Sequence, residues 1–119
     1  MGKQPISILA VDDSEDFLDA LKYMLEQEGY TLTTAPDGAV ALALLQTETF
    51  DLVLLDVNMP RLNGLEVLKS VKSLYLESEI IMLSGVDELK IAVECMSYGA
   101  YYYITKPYSS SELLFLIER

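Results

Sequence analysis

The sequence predicts an α/β domain: a doubly wound parallel sheet of five strands with five helices. Three observations predict it. Five short apolar runs rich in branched residues alternate with longer segments of helical period, the pattern of strands buried on both faces beneath covering helices. The chain has 119 residues, 51% of them hydrophobic, with 4 Pro and 6 Gly, which is one compact domain that buries roughly two-thirds of its unfolded surface. No linker, low-complexity segment or repeat separates the elements, and disorder is excluded.

The first strand is Ile6 to Val11, and a helical stretch follows from about Ser14 to Glu28. Phe17, Leu18, Leu21, Met24 and Leu25 form its apolar stripe. Ser14 suits the N-cap, Glu15 and Asp16 the first turn, and Gly29 the C-terminal stop. The second strand, Tyr30 to Ala35, is poorer in aliphatics and is expected toward an edge. Pro36, Asp37 and Gly38 open a helix through Leu45. The third strand, Phe50 to Leu55, is nearly all apolar, reads as central, and runs straight into Asp56.

A loop with Pro60 and Gly64 leads to a third helix, expected to bury Leu65, Leu68, Val71 and Leu74 or Tyr75. Ile80 to Leu83 is the fourth strand, Glu88 to Tyr98 the fourth helix with its stop at Gly99, and Ala100 to Ile104 the fifth strand. Pro107 blocks continuation of that strand, and Ser109, Ser110 or Ser111 caps a last helix to Arg119. Cys95, alone in the chain and flanked by Ala92, Val93 and Met96, reads as a small buried hydrophobe rather than a redox group.

Charge and hydropathy narrow the function classes. A net charge of −11 with no His repels a phosphate backbone, so direct nucleic-acid binding by this domain is not expected. The longest apolar run, Ala39 to Leu45, is far short of the roughly 20 residues of a membrane span. With no signal-peptide pattern at the N-terminus, the expected location is the cytoplasm.

Right-handed crossovers make such a sheet bind its ligands beyond the carboxyl ends of its strands. Those ends carry Asp12 and Asp13, then Asp56, then Ser84 and Gly85, then Lys106. If the first and third strands are neighbours, about 4.8 Å apart, three carboxylates converge with a lysine opposite. Two unit charges about 5 Å apart at an effective dielectric near 20 repel by roughly 3 kcal/mol, a burden that a hard divalent cation removes. Few protein oxygens and no His or Cys favour Mg²⁺. The chemistry that suits this set is phosphoryl transfer onto a carboxylate, with Asp56 as nucleophile, Asp12 and Asp13 on the metal, Lys106 as fixed cation and Ser84 as hydroxyl donor. Backbone N–H groups of Asn58 and Gly85 are expected to complete the shell. Each residue alone has a blander reading: Asp12 and Asp13 as helix caps, Asp56 as a turn residue, Lys106 as a solvated charge. Their joint placement at four strand ends favours the functional one.

The segments LAVDDSED (Leu9 to Asp16), LVLLDVNMPRLNG (Leu52 to Gly64), IIMLSG (Ile80 to Gly85) and YYYITKPY (Tyr101 to Tyr108) resemble, in order and spacing, the receiver domain of two-component response regulators. The resemblance spans essentially the whole chain. It implies a flavodoxin-like sheet of order 2-1-3-4-5. It also implies that Asp56 accepts phosphate, that Asp12, Asp13, Asp56 and the Asn58 carbonyl hold Mg²⁺, and that Ser84 and Lys106 contact the phosphoryl group. The bond from Lys106 to Pro107 is implied to be cis. Ser84 and Tyr103 match the switch pair that relays phosphorylation to the surface of the fourth helix, fifth strand and fifth helix. Asn58 and Val86 fall where the family tunes slow autodephosphorylation. The implied partners are a histidine kinase or small phosphodonor, an output domain, or a second copy through the helix 4/strand 5/helix 5 face.

Two features stand apart. Alternation places Tyr101 and Tyr103 on one face of the last strand and Tyr102 with Ile104 on the other, either packed beneath helices or forming a docking surface. The last helix is short for the family and its stripe of Leu113, Leu114, Leu116 and Ile117 ends abruptly, so a domain cut from a longer protein is expected. Two competing functions fit the residues less well. A haloacid-dehalogenase-like phosphatase needs a second Asp two residues after the first, where this chain has Asn58. An interaction module that has lost phosphorylation predicts missing acids or a missing lysine, and all are present.

Overall fold

The computed structural model describes residues 6–57, 63–74, 78–85, 88–105 and 109–118. Strands and helices alternate: β1 Ser7–Val11, α1 Glu15–Gln27, β2 Thr31–Ala35, α2 Gly38–Thr47, β3 Leu52–Asp56, α3 Gly64–Ser73, β4 Glu79–Ser84, α4 Leu89–Ser97, β5 Tyr102–Thr105 and α5 Ser110–Glu118. The five strands form one parallel sheet in the order β2-β1-β3-β4-β5. Pro60, Tyr75, Tyr108 and Arg119 lie outside the described residues.

Alternation along each strand divides the apolar side chains between two cores. Leu9, Val11, Val53, Leu55, Ile80 and Met82 face α2, α3 and α4, whereas Ile8, Ala10, Leu52, Leu54, Ile81 and Leu83 face α1 and α5. All five residues of β3 are buried, as a central strand requires. β2 lies at an edge.

The helix ends follow local chemistry. Ser14 caps α1 by accepting from the Phe17 N–H at 3.2 Å, and Gly29 with φ of +92° ends it in a conformation glycine adopts without strain. Asp37 caps α2, Asn63 and Glu66 form a reciprocal capping box on α3, and the Ser109 hydroxyl accepts from the Glu112 N–H at 3.1 Å at the start of α5.

Two expectations change. Leu74 is 45% exposed, and the buried stripe of α3 is Gly64, Val67, Leu68 and Val71. These positions follow the i, i+3, i+4, i+7 spacing of one helix face, whereas steps of three from Leu65 drift off it. The tyrosine run is not uniformly tucked under helices: Tyr103 packs on the core beneath α4, but Tyr101 and Tyr102 are 40% and 48% exposed. Cys95 is buried against α3 and β4 residues in the α2–α4 core, as expected. Leu113 is fully buried, with Leu114, Leu116 and Ile117 packed around it.

Candidate functional site

The sheet register brings the acidic residues together. Val11 pairs with Leu55, so Asp12 and Asp56 leave adjacent strands side by side at the carboxyl edge. One carboxylate oxygen from each of Asp12, Asp13 and Asp56 lies within 4.8 Å of the others. Asp12 and Asp56 are only 2% and 4% exposed, while Asp13 is open to solvent. At that spacing the buried pair repels by about 3 kcal/mol at an effective dielectric near 20, which is the electrostatic setting of a cation site.

The helix-cap reading of these acids is settled by Ser14, which takes the cap of α1 itself. Asp12 Oδ1 accepts from the Ser14 N–H at 2.9 Å, fixing the turn that carries Asp13. Asp12 thus orients the loop, and Asp13 adds a solvent-facing carboxylate to the cluster. The donor set is entirely carboxylate oxygen, which suits a hard cation such as Mg²⁺ and not one preferring nitrogen or sulfur.

β4 borders the cluster on its other side. Asp56 pairs with Leu83, and Val57 N–H donates to the Leu83 carbonyl at 2.9 Å, which sets Ser84 and Gly85 beside the Asp56 loop. Ser84 is fully buried, and its hydroxyl has no hydrogen-bond partner among the described residues. A buried hydroxyl left without a partner is uncommon and calls for an acceptor.

Two residues that the sequence marks only as a loop glycine and a helix start also border this region. Gly64 donates its N–H to the Val57 carbonyl at 3.0 Å, and a Cβ there would strike the Asp56 carbonyl oxygen and lie 2.9 Å from Val57 Cα. The start of α3 therefore sits directly on the backbone that carries Asp56. A glycine opening a helix soon after a strand-end Asp is the signal that finds it. Glu88 is the second: its Oε1 accepts from the Gly85 N–H at 2.6 Å. The expectation that this N–H stands open is thus corrected, because the carboxylate three residues on already holds it.

Tyr103 lies partly buried against the core beneath α4, its ring stacked on Tyr102 with centroids 6.1 Å apart. Lys106, Asn58, Pro107 and Val86 lie outside the described residues.

The family model for the response regulator receiver domain matches residues 8–118. The alkaline phosphatase synthesis transcriptional regulatory protein PhoP of Bacillus subtilis is 43% identical over 106 residues, which cover 89% of this chain and 44% of that protein. The transcriptional regulatory protein DltR of Streptococcus agalactiae is 38% identical, over 90% of this chain and 48% of its own length. The chain thus spans about half the length of the curated relatives it matches. Among solved structures, the chemotaxis protein CheY4 of Vibrio cholerae superposes with a TM-score of 0.90 at 33% identity, covering 98% of both chains. With sheet order, acidic cluster and a family match over nearly its full length in agreement, the chain belongs to the response regulator receiver domains of two-component signalling.

Proposed function

We propose that this domain is a phospho-accepting switch in which Asp56 takes a phosphoryl group from a histidine kinase or a small acyl phosphate. An Asp56 carboxylate oxygen attacks phosphorus and forms the new P–O bond. The donor's P–N bond, or P–O bond for an acyl phosphate, breaks, and the electron pair leaves with the imidazole or carboxylate. The observation that carries this reading is the gathering of Asp12, Asp13 and Asp56 within 4.8 Å beside the buried Ser84 hydroxyl, which has no partner among the described residues.

Asp12, Asp13 and Asp56, with the Asn58 carbonyl by the family pattern, would hold Mg²⁺, which when bound neutralises charge on the cluster and on the phosphoryl oxygens. Ser84 donates its hydroxyl to the phosphoryl group. Lys106 supplies a cation for the same oxygens. As Ser84 turns toward phosphate, the Tyr103 ring shifts inward, altering the face formed by α4, β5 and α5 in a bias between two packings. That face already exposes Val93, Tyr98, Tyr101, Tyr102 and Phe115, apolar area suited to a second copy or to an output domain.

The expected chemistry ends with slow hydrolysis of the aspartyl phosphate, so the domain turns over no external substrate. The relatives PhoP and DltR are transcriptional regulatory proteins, and an attached output segment would carry any such activity here, since a domain of charge −11 does not attract DNA. No helix among the described residues is long and apolar enough to cross a membrane.

Incubation with acetyl phosphate and Mg²⁺ tests the reading. The native chain should gain the mass of one phosphoryl group and Asp56→Asn none. Equal labelling of the two would overturn it.

A further inference from the structure

The contact between Gly85 and Glu88 carries a regulatory consequence for the site. Gly85 directly follows Ser84 at the end of β4, the strand that pairs with β3 through Asp56 and Leu83. Glu88 Oε1 holds that N–H at 2.6 Å, while the Glu88 N–H donates back to the Gly85 carbonyl at 3.1 Å. The two bonds tie Gly85 and Glu88 to each other. Glu88 makes no capping hydrogen bond to α4, so its carboxylate is committed to Gly85 rather than to the helix it precedes. Both groups are partly buried, and a Cβ at Gly85 would lie 3.2 Å from the same carboxylate oxygen.

We propose that Glu88 is a built-in competitor for the phosphoryl group, occupying in the resting domain the Gly85 N–H that phosphate on Asp56 would otherwise use. The inference rests on Asp56 being the phosphate acceptor. A carboxylate and a phosphoryl group are alike to this donor: each offers anionic oxygen, and one N–H cannot serve both at full strength. Their like charges add repulsion. Phosphorylation therefore requires the Glu88 side chain to release Gly85, which frees the residue that precedes α4. The same contact that resists phosphorylation links it to movement of α4.

Removing the competitor should make the domain easier to phosphorylate. With Mg²⁺ and subsaturating acetyl phosphate, Glu88→Ala should reach a given phosphorylated fraction at roughly tenfold lower donor concentration than the native chain, and Glu88→Gln, a neutral and weaker acceptor, should fall between. The Gly85 amide proton resonance reads the contact directly. It should lie far downfield in the native resting domain, move upfield in Glu88→Ala, and change again in the native chain on phosphorylation. Equal phosphorylation of all three chains, or an amide resonance indifferent to Glu88, would overturn the competitor. If the native chain and both variants take no phosphate at all, the phospho-acceptor reading itself fails and the competitor falls with it. A Glu88→Ala chain that has lost its native melting transition is replaced by Glu88→Gln, whose gain over the native chain then decides.

Discussion

The carbonyl oxygen of Asp56 occupies the space that a side chain at Gly64 would need. The neighbouring obstacle is also backbone, Val57 Cα at 2.9 Å, with Met82 Cε at 3.0 Å, so only the methionine tip can yield cheaply. Glycine to alanine in a helix ordinarily stabilises by up to about 1 kcal/mol. Here the sign reverses: Gly64→Ala should destabilise by about 2 kcal/mol, because α3 or the Asp56 loop must move. Urea unfolding would show the lowered midpoint, and phosphorylation from acetyl phosphate should slow as the Asp56 backbone is displaced.

Burial pushes the Cys95 thiol up to about 11, with the Glu94 charge adding to the effect. At neutral pH the native domain therefore presents no thiolate, and a thiol reagent should label Cys95 only on unfolding. The folded state holds this proton more tightly than the unfolded chain, whose value is near 9.0. The associated stability is complete below pH 9, declines as pH rises toward and through 11, and amounts to at most about 3 kcal/mol. Cys95→Ala should flatten that part of the pH profile measured by chemical denaturation.

Tyr30 ties the turn after α1 to the last turn of α5. Its phenol is raised above the ordinary value by burial first, then by the charges of Glu118 and Glu28, and by a hydrogen bond donated to the Glu118 carboxylate. The proton is again held more tightly in the folded state, so this contribution is intact below pH 10 and is lost above it. Tyr30→Phe should cost about 0.5 to 1 kcal/mol at neutral pH and remove from the ultraviolet titration a phenol that titrates above the ordinary tyrosine value.

The alternation of short branched runs with helical segments was enough to place all five strands and five helices, since each element's apolar period matches the surface it buries. Register made the acidic cluster legible too: Asp12 and Asp56 follow strand runs that end together. What could not be read are contacts made by groups without a sequence signature. Gly64 belongs to the buried stripe of α3 but has no side chain to count, so the apolar pattern starts at Leu65 and leads to the exposed Leu74. The Gly85 N–H was expected to be open because nothing local shows that Glu88 folds back on it. Alternation correctly separated Tyr103 from Ile104, which join opposite cores, yet it carries no information on how far Tyr101 and Tyr102 project past the edge strand.

Repulsion within the cluster predicts an exchange of stabilities when Asp13 is neutralised. Asp13 is the exposed member of the three, so Asp13→Asn removes like charge without stranding a buried group. In chelator the variant should be more stable than the native chain by about 1 kcal/mol, the solvent-screened share of the pairwise repulsion. Millimolar Mg²⁺, which binds the folded state, should raise the native melting temperature and raise that of Asp13→Asn much less, so the order of the two chains narrows or inverts. Glu48→Gln, which removes one charge from the exposed end of α2, controls for net charge and should respond to Mg²⁺ as the native chain does. A variant less stable than native in chelator would mean that Asp13 serves the fold through its own contacts and that the three carboxylates do not strain one another.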